Sequence, residues 1–346
     1  MKAFVTGATG LVGTHIVHQL EREGWDIVAL HRASSDISEL KKCRRVRCAV
    51  GDVTDPDSLR RAMPEGVDAV FHAAGSVGNL PRSREGLRYE INQAGTRNVV
   101  TVCREKKAGR LLYTSTILSY DFRDGRRVTE DAAPNDWCRD PYIHSKRLGD
   151  VEVEKGIEAG LDAVFLHPTV IFGAYDKEAW SKMFLEIQRG LPLPFAPPGG
   201  ASVCHAAKVG EGHVAAFHRG GRGRHYILSG PDATWLHVAQ TIGRILRRPG
   251  PKMRLPTPLF KAYGRTEYLV SSLLKREPML SPHSIYLLSI SVYSDSSRAE
   301  RDLGYRSSSL ETMLRDCHQW MVATGRLPAL SETGTAAGME AETTVS

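Results

Sequence analysis

The sequence lacks the features typical of secreted, metal-binding and membrane-spanning proteins. Its six cysteines include no C-x-x-C pair and its 13 histidines no H-E-x-x-H sequence, so we expect no metal site. No stretch of about 18 consecutive apolar residues occurs, so we expect no transmembrane segment. Met1 leads directly into the strand-like run Lys2–Thr6, which leaves no room for a signal peptide. We therefore expect reduced thiols and a cytoplasmic location.

A concentrated charge of one sign is also missing. The 46 basic and 39 acidic residues give a formal charge of +7, spread along the chain. Basic runs at 41–47 and 244–254 lack the interleaved aromatic side chains that stack on nucleic-acid bases. The charge pattern therefore does not favour a nucleic-acid partner.

Short apolar runs alternate with amphipathic stretches through the first half of the chain. The pattern predicts strands at Lys2–Thr6, Trp25–Leu30, Val46–Val50, Ala69–His72, Arg110–Ser115 and Ala163–His167, with a later strand at His225–Ser229. Strands that are apolar on both faces imply helices on both sides of the sheet. We therefore predict an α/β fold with a doubly wound parallel sheet and a smaller C-terminal α/β lobe.

Length and composition suggest how the chain is divided. Its 346 residues suffice for about two domains, and a proline-rich stretch at 191–200 is followed by weaker periodicity. We predict a first domain over 1–170 and a substrate-binding lobe over 171–330 that is partly interleaved with it. Residues 331–346 contain little besides Ala, Gly, Thr, Ser and Glu, and we expect a disordered tail there.

A glycine-rich turn follows the first strand and precedes an amphipathic helix. Gly7 permits a tight turn, Gly10 lets a pyrophosphate approach the backbone, and Gly13 lets the helix lie close to the strand. The spacing is GxxGxxG, and the strand, turn and helix follow in the required order. We therefore predict a dinucleotide site at this turn, whose sequence is Thr6-Gly7-Ala8-Thr9-Gly10-Leu11-Val12-Gly13.

The ends of the next two strands bear on which dinucleotide binds. His31 and Arg32 stand where a carboxylate would accept the ribose hydroxyls of NAD, and an arginine can bind a 2′-phosphate with two hydrogen bonds. We therefore prefer NADP(H) to NAD(H), with a solvated surface Arg32 as the alternative. Asp52, followed by Val53, could accept from the adenine amino group or could cap a turn or helix.

The segment from Tyr142 to Lys146 follows Pro141, which stands at a position that begins a helix. Four-residue spacing places Tyr142 and Lys146 on one face, where the lysine cation and a nicotinamide cation together could lower the pKa of the phenol towards neutrality. Ser115 and Thr116 lie at the end of the preceding strand, and either hydroxyl could polarise a carbonyl. Together these residues predict a hydride-transfer site.

Seven motifs in this order resemble the extended short-chain dehydrogenase/reductases. Within that family the resemblance is to the dihydroflavonol reductase and 3β-hydroxysteroid dehydrogenase branch of the NAD-dependent epimerase/dehydratase proteins. It runs from about residue 2 to residue 325. The motifs are Thr6–Gly13, Gly51–Val53, His72–Gly75, Asn92 with Gly95–Asn98, Thr114–Thr116, Tyr142–Lys146 and His167–Thr169.

The resemblance implies a Rossmann-type fold, with 1–170 as the NADP-binding domain, and a role for each motif. It implies that Tyr142 is the acid/base, that Lys146 also binds the nicotinamide ribose, and that Asn92 fixes a helix bend near the site. It places Thr116 at the catalytic Ser/Thr position, with Ser115 beside it. It further implies that the adenosine side is lined by His72, Ala73, Ala74 and Gly75, and the nicotinamide side by Pro168, Thr169 and Val170.

Two departures from the family pattern restrict what the resemblance implies. His205-Ala206-Ala207-Lys208 replaces a His followed by an Asp pair, so contacts of the second lobe are not carried over. Ile117-Leu118 replaces the Asp-Glu pair of sugar-nucleotide 4,6-dehydratases, which argues against dehydration.

The residues favour an NADP(H)-dependent oxidoreductase that interconverts a ketone and a secondary alcohol on a small to medium organic substrate. An NAD-dependent sugar or sugar-nucleotide epimerase and a catalytically silent NADP-binding regulatory protein remain alternatives, and a homodimer is left open. The substrate should contact the segments 76–90 and 172–198, where Trp180, Phe184 and Phe195 could be either pocket or core. Leu255–Leu280 could rest on a membrane surface, although core or interface packing is favoured.

Overall fold

A seven-stranded parallel sheet forms the centre of the computed structural model, which describes residues 1–77, 86–177, 180–190, 195–274 and 280–328. The order across this sheet is β10-β6-β5-β4-β1-β2-β3. Each predicted strand is confirmed to within one residue at either end. In the described part of the chain the strands are β1 (Lys2–Thr6), β2 (Asp26–His31), β3 (Val46–Val50), β4 (Ala69–His72), β5 (Arg110–Thr114), β6 (Ala163–Pro168), β7 (Val170–Phe172), β8 (Phe195–Ala196), β9 (Gly200–His205), β10 (His225–Leu228), β11 (Asp232–Thr234), β12 (Met253–Arg254) and β13 (Ser291–Val292).

Helices cover both faces of the large sheet, as the apolar strands require. Ala3 and Val5 face a core shared with α1, α7 and α11, whereas Phe4 faces a core shared with α2, α4 and α5. This confirms the Rossmann-type doubly wound fold. The helices are α1 (Leu11–Arg22), α2 (Pro56–Ala62), α3 (Gly86–Tyr89), α4 (Thr96–Glu105), α5 (Pro141–Glu158), α6 (Ser181–Gln188), α7 (Ala206–Arg219), α8 (Trp235–Leu246), α9 (Thr257–Leu273), α10 (Pro282–Ser289), α11 (Ser297–Leu303) and α12 (Leu310–Ala323).

The second half of the chain contributes both to the large sheet and to two smaller ones. β9 pairs with β7, β11 and β13, and β8 pairs with β12. The core over these strands is built by α6, α8 and α12. Between them α7 and β10 return to the large sheet, so the segment 171–330 is interleaved with the first domain. The boundary at 170 remains a prediction, and the predicted tail at 331–346 lies outside the described residues.

The topology fixes where a ligand can bind. β1 has β2 on one side and β4 on the other, so the strand order reverses between β1 and β4. In open parallel sheets, ligands bind at such a reversal, outside the carboxyl ends of the strands. The glycine-rich turn, Arg32 and Thr116 all follow carboxyl ends of strands in this sheet.

Candidate active site

The glycine-rich turn between β1 and α1 has no room for side chains. Gly7 has a φ of +68°, and a Cβ there would lie 2.6 Å from the backbone of Ala73 and Ala74. A Cβ on Gly13 would lie 2.0 Å from the Gly7 carbonyl oxygen. Gly10 precedes α1 without a side-chain cap, so the first N–H groups of the helix face outward for an anion. The turn therefore fits a dinucleotide pyrophosphate.

A buried histidine holds this turn against the sheet. The Nε2 of His72 lies 3.1 Å from the Thr96 hydroxyl, which itself donates to the Asn92 carbonyl, and the Nδ1 lies 2.7 Å from the Thr6 hydroxyl. Burial lowers the pKa of His72 to about 3, so the ring is neutral, donating at Nε2 and accepting from Thr6. His72 therefore has a structural role, because it links Thr6 to Thr96. Ala73, Ala74 and Gly75 follow it in the chain at the carboxyl edge of the sheet.

The residues predicted to determine whether NAD(H) or NADP(H) binds lie at the ends of β2 and β3. Arg32 is exposed directly after β2, and the ring Nδ1 of His31 bonds to its carbonyl oxygen at 2.9 Å. The Oδ1 of Asp52 accepts from the backbone N–H and the hydroxyl of Thr54, each at 2.9 Å. The turn role that the sequence left open for Asp52 is therefore present, and its adenine contact remains a prediction.

The cap at the N-terminus of α5 positions Tyr142. The Oδ1 of Asp140 accepts from the backbone N–H groups of Tyr142 and Ile143 at 3.0 and 3.2 Å, and Pro141 occupies the first turn. Burial raises the pKa of Tyr142, and hydrogen bonding from the nearby Thr116 side chain and the charge of Arg88 oppose that rise. Burial outweighs both, and the lowered pKa expected from a lysine together with a nicotinamide cation stays a prediction.

Lys146 lies one turn further along α5, and its contacts differ from the expected pairing with Tyr142. Its Nζ donates to the Thr114 carbonyl at 2.7 Å and to the Tyr113 hydroxyl at 3.2 Å. Burial lowers the pKa of Lys146 to about 8, and the charge of Asp150 opposes that fall. The Lys146 ammonium group is thus held against the carboxyl-terminal end of β5. The cation that acts on the pKa of Tyr142 is Arg88, whose guanidinium carbon lies 6.0 Å from the ring centroid.

The structure separates the two neighbouring hydroxyls after β5. Ser115 donates to the buried carboxylate of Asp150 at 2.6 Å and lies 3.2 Å from the Ser119 hydroxyl. The Thr116 side chain instead acts on the pKa of the Tyr142 phenol, and its Oγ1 accepts from the Leu118 N–H at 3.3 Å. The Thr116 backbone carbonyl accepts from His167 Nδ1 at 3.1 Å. Only the Thr116 hydroxyl of this pair is therefore placed with the phenol.

Asn92 links three segments around the site. It lies in a π-helical turn, Glu90–Gly95, which is the local irregularity expected near this residue. Its Nδ2 donates to the Ser145 hydroxyl on α5 at 3.0 Å, and its Oδ1 accepts from the Ser76 N–H at 2.7 Å. Most of the predicted substrate segment 76–90, namely 78–85, lies outside the described residues.

Sequence reasoning missed a contact between α5 and the second half of the chain. His283, at the start of α10, donates from Nδ1 to the Asp140 carboxylate at 2.7 Å, and its ring meets that of Tyr142 edge-on at 5.5 Å. Asp140 precedes Pro141, so its capping role was readable from the sequence. No spacing rule could have brought His283 to it. Arg88 and Asp150 were missed as well, although Asp150 shares the helix face of Lys146 at four-residue spacing.

The second-lobe residues considered in the sequence mostly have structural roles. Phe184 is fully buried, and Trp180 stacks on Trp235 with ring centroids 4.7 Å apart, so both belong to the core of α6 and α8. His205 bonds to Asp316 on α12 at 3.0 Å. Pro168 ends β6, and the Thr169 N–H donates to Leu228 on the neighbouring strand at 3.2 Å.

Comparison with known proteins bears on the family and the fold of this chain. The model of the NAD dependent epimerase/dehydratase family matches residues 3–229. A putative dihydroflavonol 4-reductase of Synechocystis sp. is 29% identical over 325 residues, 92% of this chain and 93% of the relative. The human sterol-4-alpha-carboxylate 3-dehydrogenase, decarboxylating, is 25% identical over 87% of this chain and 83% of the relative. The crystal structure of gox2253 superposes with a TM-score of 0.81 at 27% identity, covering 94% of this chain and 99% of the other.

Proposed function

The chain belongs to the NAD-dependent epimerase/dehydratase family, and we propose that it interconverts a ketone and a secondary alcohol with NADP(H) on a small to medium organic substrate. It is an NAD(P)-dependent enzyme of the dehydrogenase/reductase type acting on CH–OH groups, like the relatives named reductase and dehydrogenase. The NADP preference, the ketone substrate and the role of Tyr142 are the finer parts of the proposal.

The position of the Thr116 side chain beside the Tyr142 phenol, where it acts on the pKa of that phenol, carries this proposal. It places two hydroxyl groups together at the carboxyl end of β5, on the sheet edge that also holds the glycine-rich turn. A carbonyl oxygen bound between them would accept one hydrogen bond from each. Such a pair suits a reaction in which negative charge develops on that oxygen.

The reaction then follows from the protonation states of the site residues. When bound, the nicotinamide supplies hydride to the ketone carbon or accepts it from the alcohol carbon. Tyr142 gives its phenolic proton to the ketone oxygen, which completes the alcohol, and Thr116 holds that oxygen. Because the pKa of Tyr142 is raised, the phenol keeps its proton at neutral pH and is ready for reduction. Although its Nζ bonds to Thr114 and Tyr113, we propose that the Lys146 cation adds to the Arg88 charge in favouring the phenolate left after proton transfer.

Other residues of the chain would hold the cofactor. The N–H groups after Gly10 face the pyrophosphate position, and Asn92 braces α5, which carries both Tyr142 and Lys146. We assign the nicotinamide ribose to Lys146 and the nicotinamide side to Pro168, Thr169 and Val170. The exposed Arg32 takes the 2′-phosphate of NADP(H).

Replacing Arg32 tests the cofactor preference. A charge-assisted bond to phosphate contributes about 1.5–3 kcal/mol, so Arg32→Ala should lower kcat/KM for NADPH by at least about tenfold and leave NADH almost unchanged. Steady-state kinetics with both cofactors measure this ratio. Arg47→Ala, an exposed arginine on the neighbouring β3, is the matched control. An equal change with both cofactors would contradict the assignment.

The proposed reaction is tested with the purified protein, NADPH and a panel of cyclic, aliphatic and steroidal ketones. We expect NADPH fluorescence to decay with at least one ketone and mass spectrometry to show the corresponding alcohol. NAD that stays bound through purification, together with interconversion of a sugar nucleotide, would replace the proposal with the epimerase alternative. NADPH binding without turnover of any ketone would favour the silent regulatory protein.

A further inference from the structure

Exposed apolar side chains are concentrated on one helix. Six of the ten large hydrophobic side chains that are exposed in the described residues lie between 253 and 274, within or beside α9. Leu259, Leu269 and Leu273 are 57%, 62% and 83% exposed. For this segment the sequence favoured packing in the core or at an interface. Core packing is found only on the side of α9 away from these leucines, where Phe260 and Gly264 are buried.

The exposed residues form a continuous stripe. Leu259, Ala262, Thr266, Leu269 and Leu273 follow one another at alternating spacings of three and four residues, so they lie along one side of the helix. Val270 and Leu274 lie beside the stripe and are exposed as well. We call these seven residues the α9 face. A surface of this kind on a helix is typical of a docking site.

The exposed charged side chains of the segment 252–274 are all positive. Lys261 and Arg265 are exposed on α9, and Lys252 and Arg254 are exposed on and beside β12. The single acidic residue between 252 and 274 is Glu267, whose side chain is buried. The α9 face therefore combines apolar side chains with cations and has no exposed carboxylate of its own segment.

The α9 face lies on the outside of a helix pair that reaches the active site. A Cβ on Gly264 would lie 2.6 Å from the Ile285 side chain, so α9 and α10 pack in close contact there. α10 starts beside His283, which contacts Asp140 and the ring of Tyr142. One helix layer thus separates the exposed stripe from the residue we propose as the acid/base.

We propose that the α9 face docks on the surface of an anionic lipid bilayer. The leucines would enter the boundary between head groups and acyl chains, and the flanking cations would meet the lipid phosphates. Two copies of this chain packed face to face would instead bring their cations together without an exposed acid from α9 to pair them. No helix within the described ranges is long and apolar enough to cross a membrane, so the docking is peripheral.

Vesicle co-sedimentation of the full chain tests this proposal without any enzyme assay. The probes are vesicles of phosphatidylglycerol with phosphatidylcholine and vesicles of phosphatidylcholine alone. The two variants are Leu269→Gln/Leu273→Gln, which keeps strong helix formers in place, and Lys261→Gln/Arg265→Gln. Lys41→Gln/Arg47→Gln removes the same charge near the far edge of the sheet and is the matched control.

The wild type and the control should sediment with the anionic vesicles, and the binding should weaken as salt is added. Neutralising two cations should weaken it by about 30-fold, and replacing the two leucines by at least about tenfold. Unaltered circular dichroism would show that both variants remain folded. Absence of sedimentation with the wild type, or equal sedimentation of all variants, would overturn the proposal. A concentration-dependent dimer that the leucine variant abolishes, without vesicle binding, would overturn it in favour of a self-interface.

Discussion

Ser115 and Thr116 are adjacent in the chain, yet their hydroxyls have different neighbours. The sequence predicts that one of them polarises the carbonyl but gives no reason to choose, because both follow β5. The structure supplies the reason: the proton of Ser115 is directed to Asp150 at 2.6 Å. The Thr116 side chain instead lies where it acts on the pKa of the Tyr142 phenol. The choice depends on a carboxylate 35 residues along the chain, which no local pattern reveals.

Alanine substitution of each hydroxyl separates catalysis from stability. Thr116→Ala should lower kcat by about 10²–10³-fold, as loss of one preorganised donor does. It should lower the free energy of unfolding by only about 1 kcal/mol, because it also removes the cap that Thr116 provides for the Leu118 N–H. Ser115→Ala should leave kcat nearly unchanged and lower the free energy of unfolding by about 1.5–3 kcal/mol, because it removes a bond to a buried carboxylate. Steady-state kinetics and urea unfolding measure the two effects. A large loss of kcat in Ser115→Ala with nearly unchanged kcat in Thr116→Ala would show that Ser115 is the donor.

The charge of Lys146 predicts how the reaction responds to alkaline pH. With a pKa of about 8, Lys146 loses its proton as the pH rises through that value, so the rate of reduction should fall there. The Asp150 charge raises this pKa. Asp150→Asn removes that charge but keeps an oxygen for Ser115, so the alkaline limb of kcat/KM should move to lower pH. Asp162→Asn, at the opposite end of the sheet, should not move it. A limb that stays in place or moves to higher pH in Asp150→Asn would contradict this account.

At the scale of elements, α5 carries Tyr142 and Lys146, and two contacts determine where it lies. Asp140 caps its first turn and accepts from His283 of α10. Further along, a Cβ on Gly149 would lie 2.5 Å from the Tyr113 hydroxyl, so only a residue without a side chain lets α5 come this close to β5. This close packing places Lys146 within bonding distance of Thr114 and Tyr113.

Removing the cap of α5 should affect both stability and rate. Capping contributes about 1 kcal/mol, and Asp140→Ala also leaves His283 without its acceptor, so we expect a loss of about 2–3 kcal/mol and a lower kcat. Asp55→Ala removes an exposed cap of the same type on α2 and should cost only about 1 kcal/mol with kcat unchanged. Equal effects of the two substitutions on both properties would show that the His283 contact contributes nothing.

The Asp140 pair also has a defined pH dependence. Burial tends to raise the pKa of Asp140, but the hydrogen bond and charge of His283 outweigh it and the pKa is lowered. A lowered carboxyl pKa stabilises the fold above the unfolded value of about 4, and this contribution is lost as the pH falls through the folded pKa. The stability difference between the wild type and Asp140→Ala should therefore shrink in acid. Urea unfolding over a range of pH measures it.

The elements also show what sequence patterns can and cannot predict. The strands β1 to β6 were predicted to within a residue, because most of them are buried parallel strands that read as apolar runs. β3 is the exception, since it lies at the edge of the sheet and contains the exposed Arg47. The glycine turn was predicted because its function restricts its residue types. Of the elements of the second half, the sequence predicted β10 but not the short strands or half-exposed helices such as α9, because these have no distinctive period. The burial that raises the pKa of Tyr142 was not predictable either, because it depends on packing between segments distant in the chain.

At the scale of the whole molecule, the two halves of the chain share one sheet. β10 pairs with β6 beside the site, and α7 packs on α1 directly behind the glycine-rich turn. α10 reaches back to the start of α5. The cofactor side and the substrate side are therefore braced by the same elements. The sequence predicted the late strand His225–Ser229, but which strand it pairs with could be read only from the structure.

The most direct test of the proposed reaction compares Tyr142→Phe with the wild type in two measurements, NADPH binding by fluorescence titration and turnover of a ketone substrate. Removing one oxygen atom leaves the aromatic ring that packs against His283, so NADPH affinity should remain unchanged. Because the phenolic proton is lost, kcat should fall by about 10²–10⁴-fold. Turnover at the wild-type rate in Tyr142→Phe would contradict the assignment of Tyr142 as the acid/base.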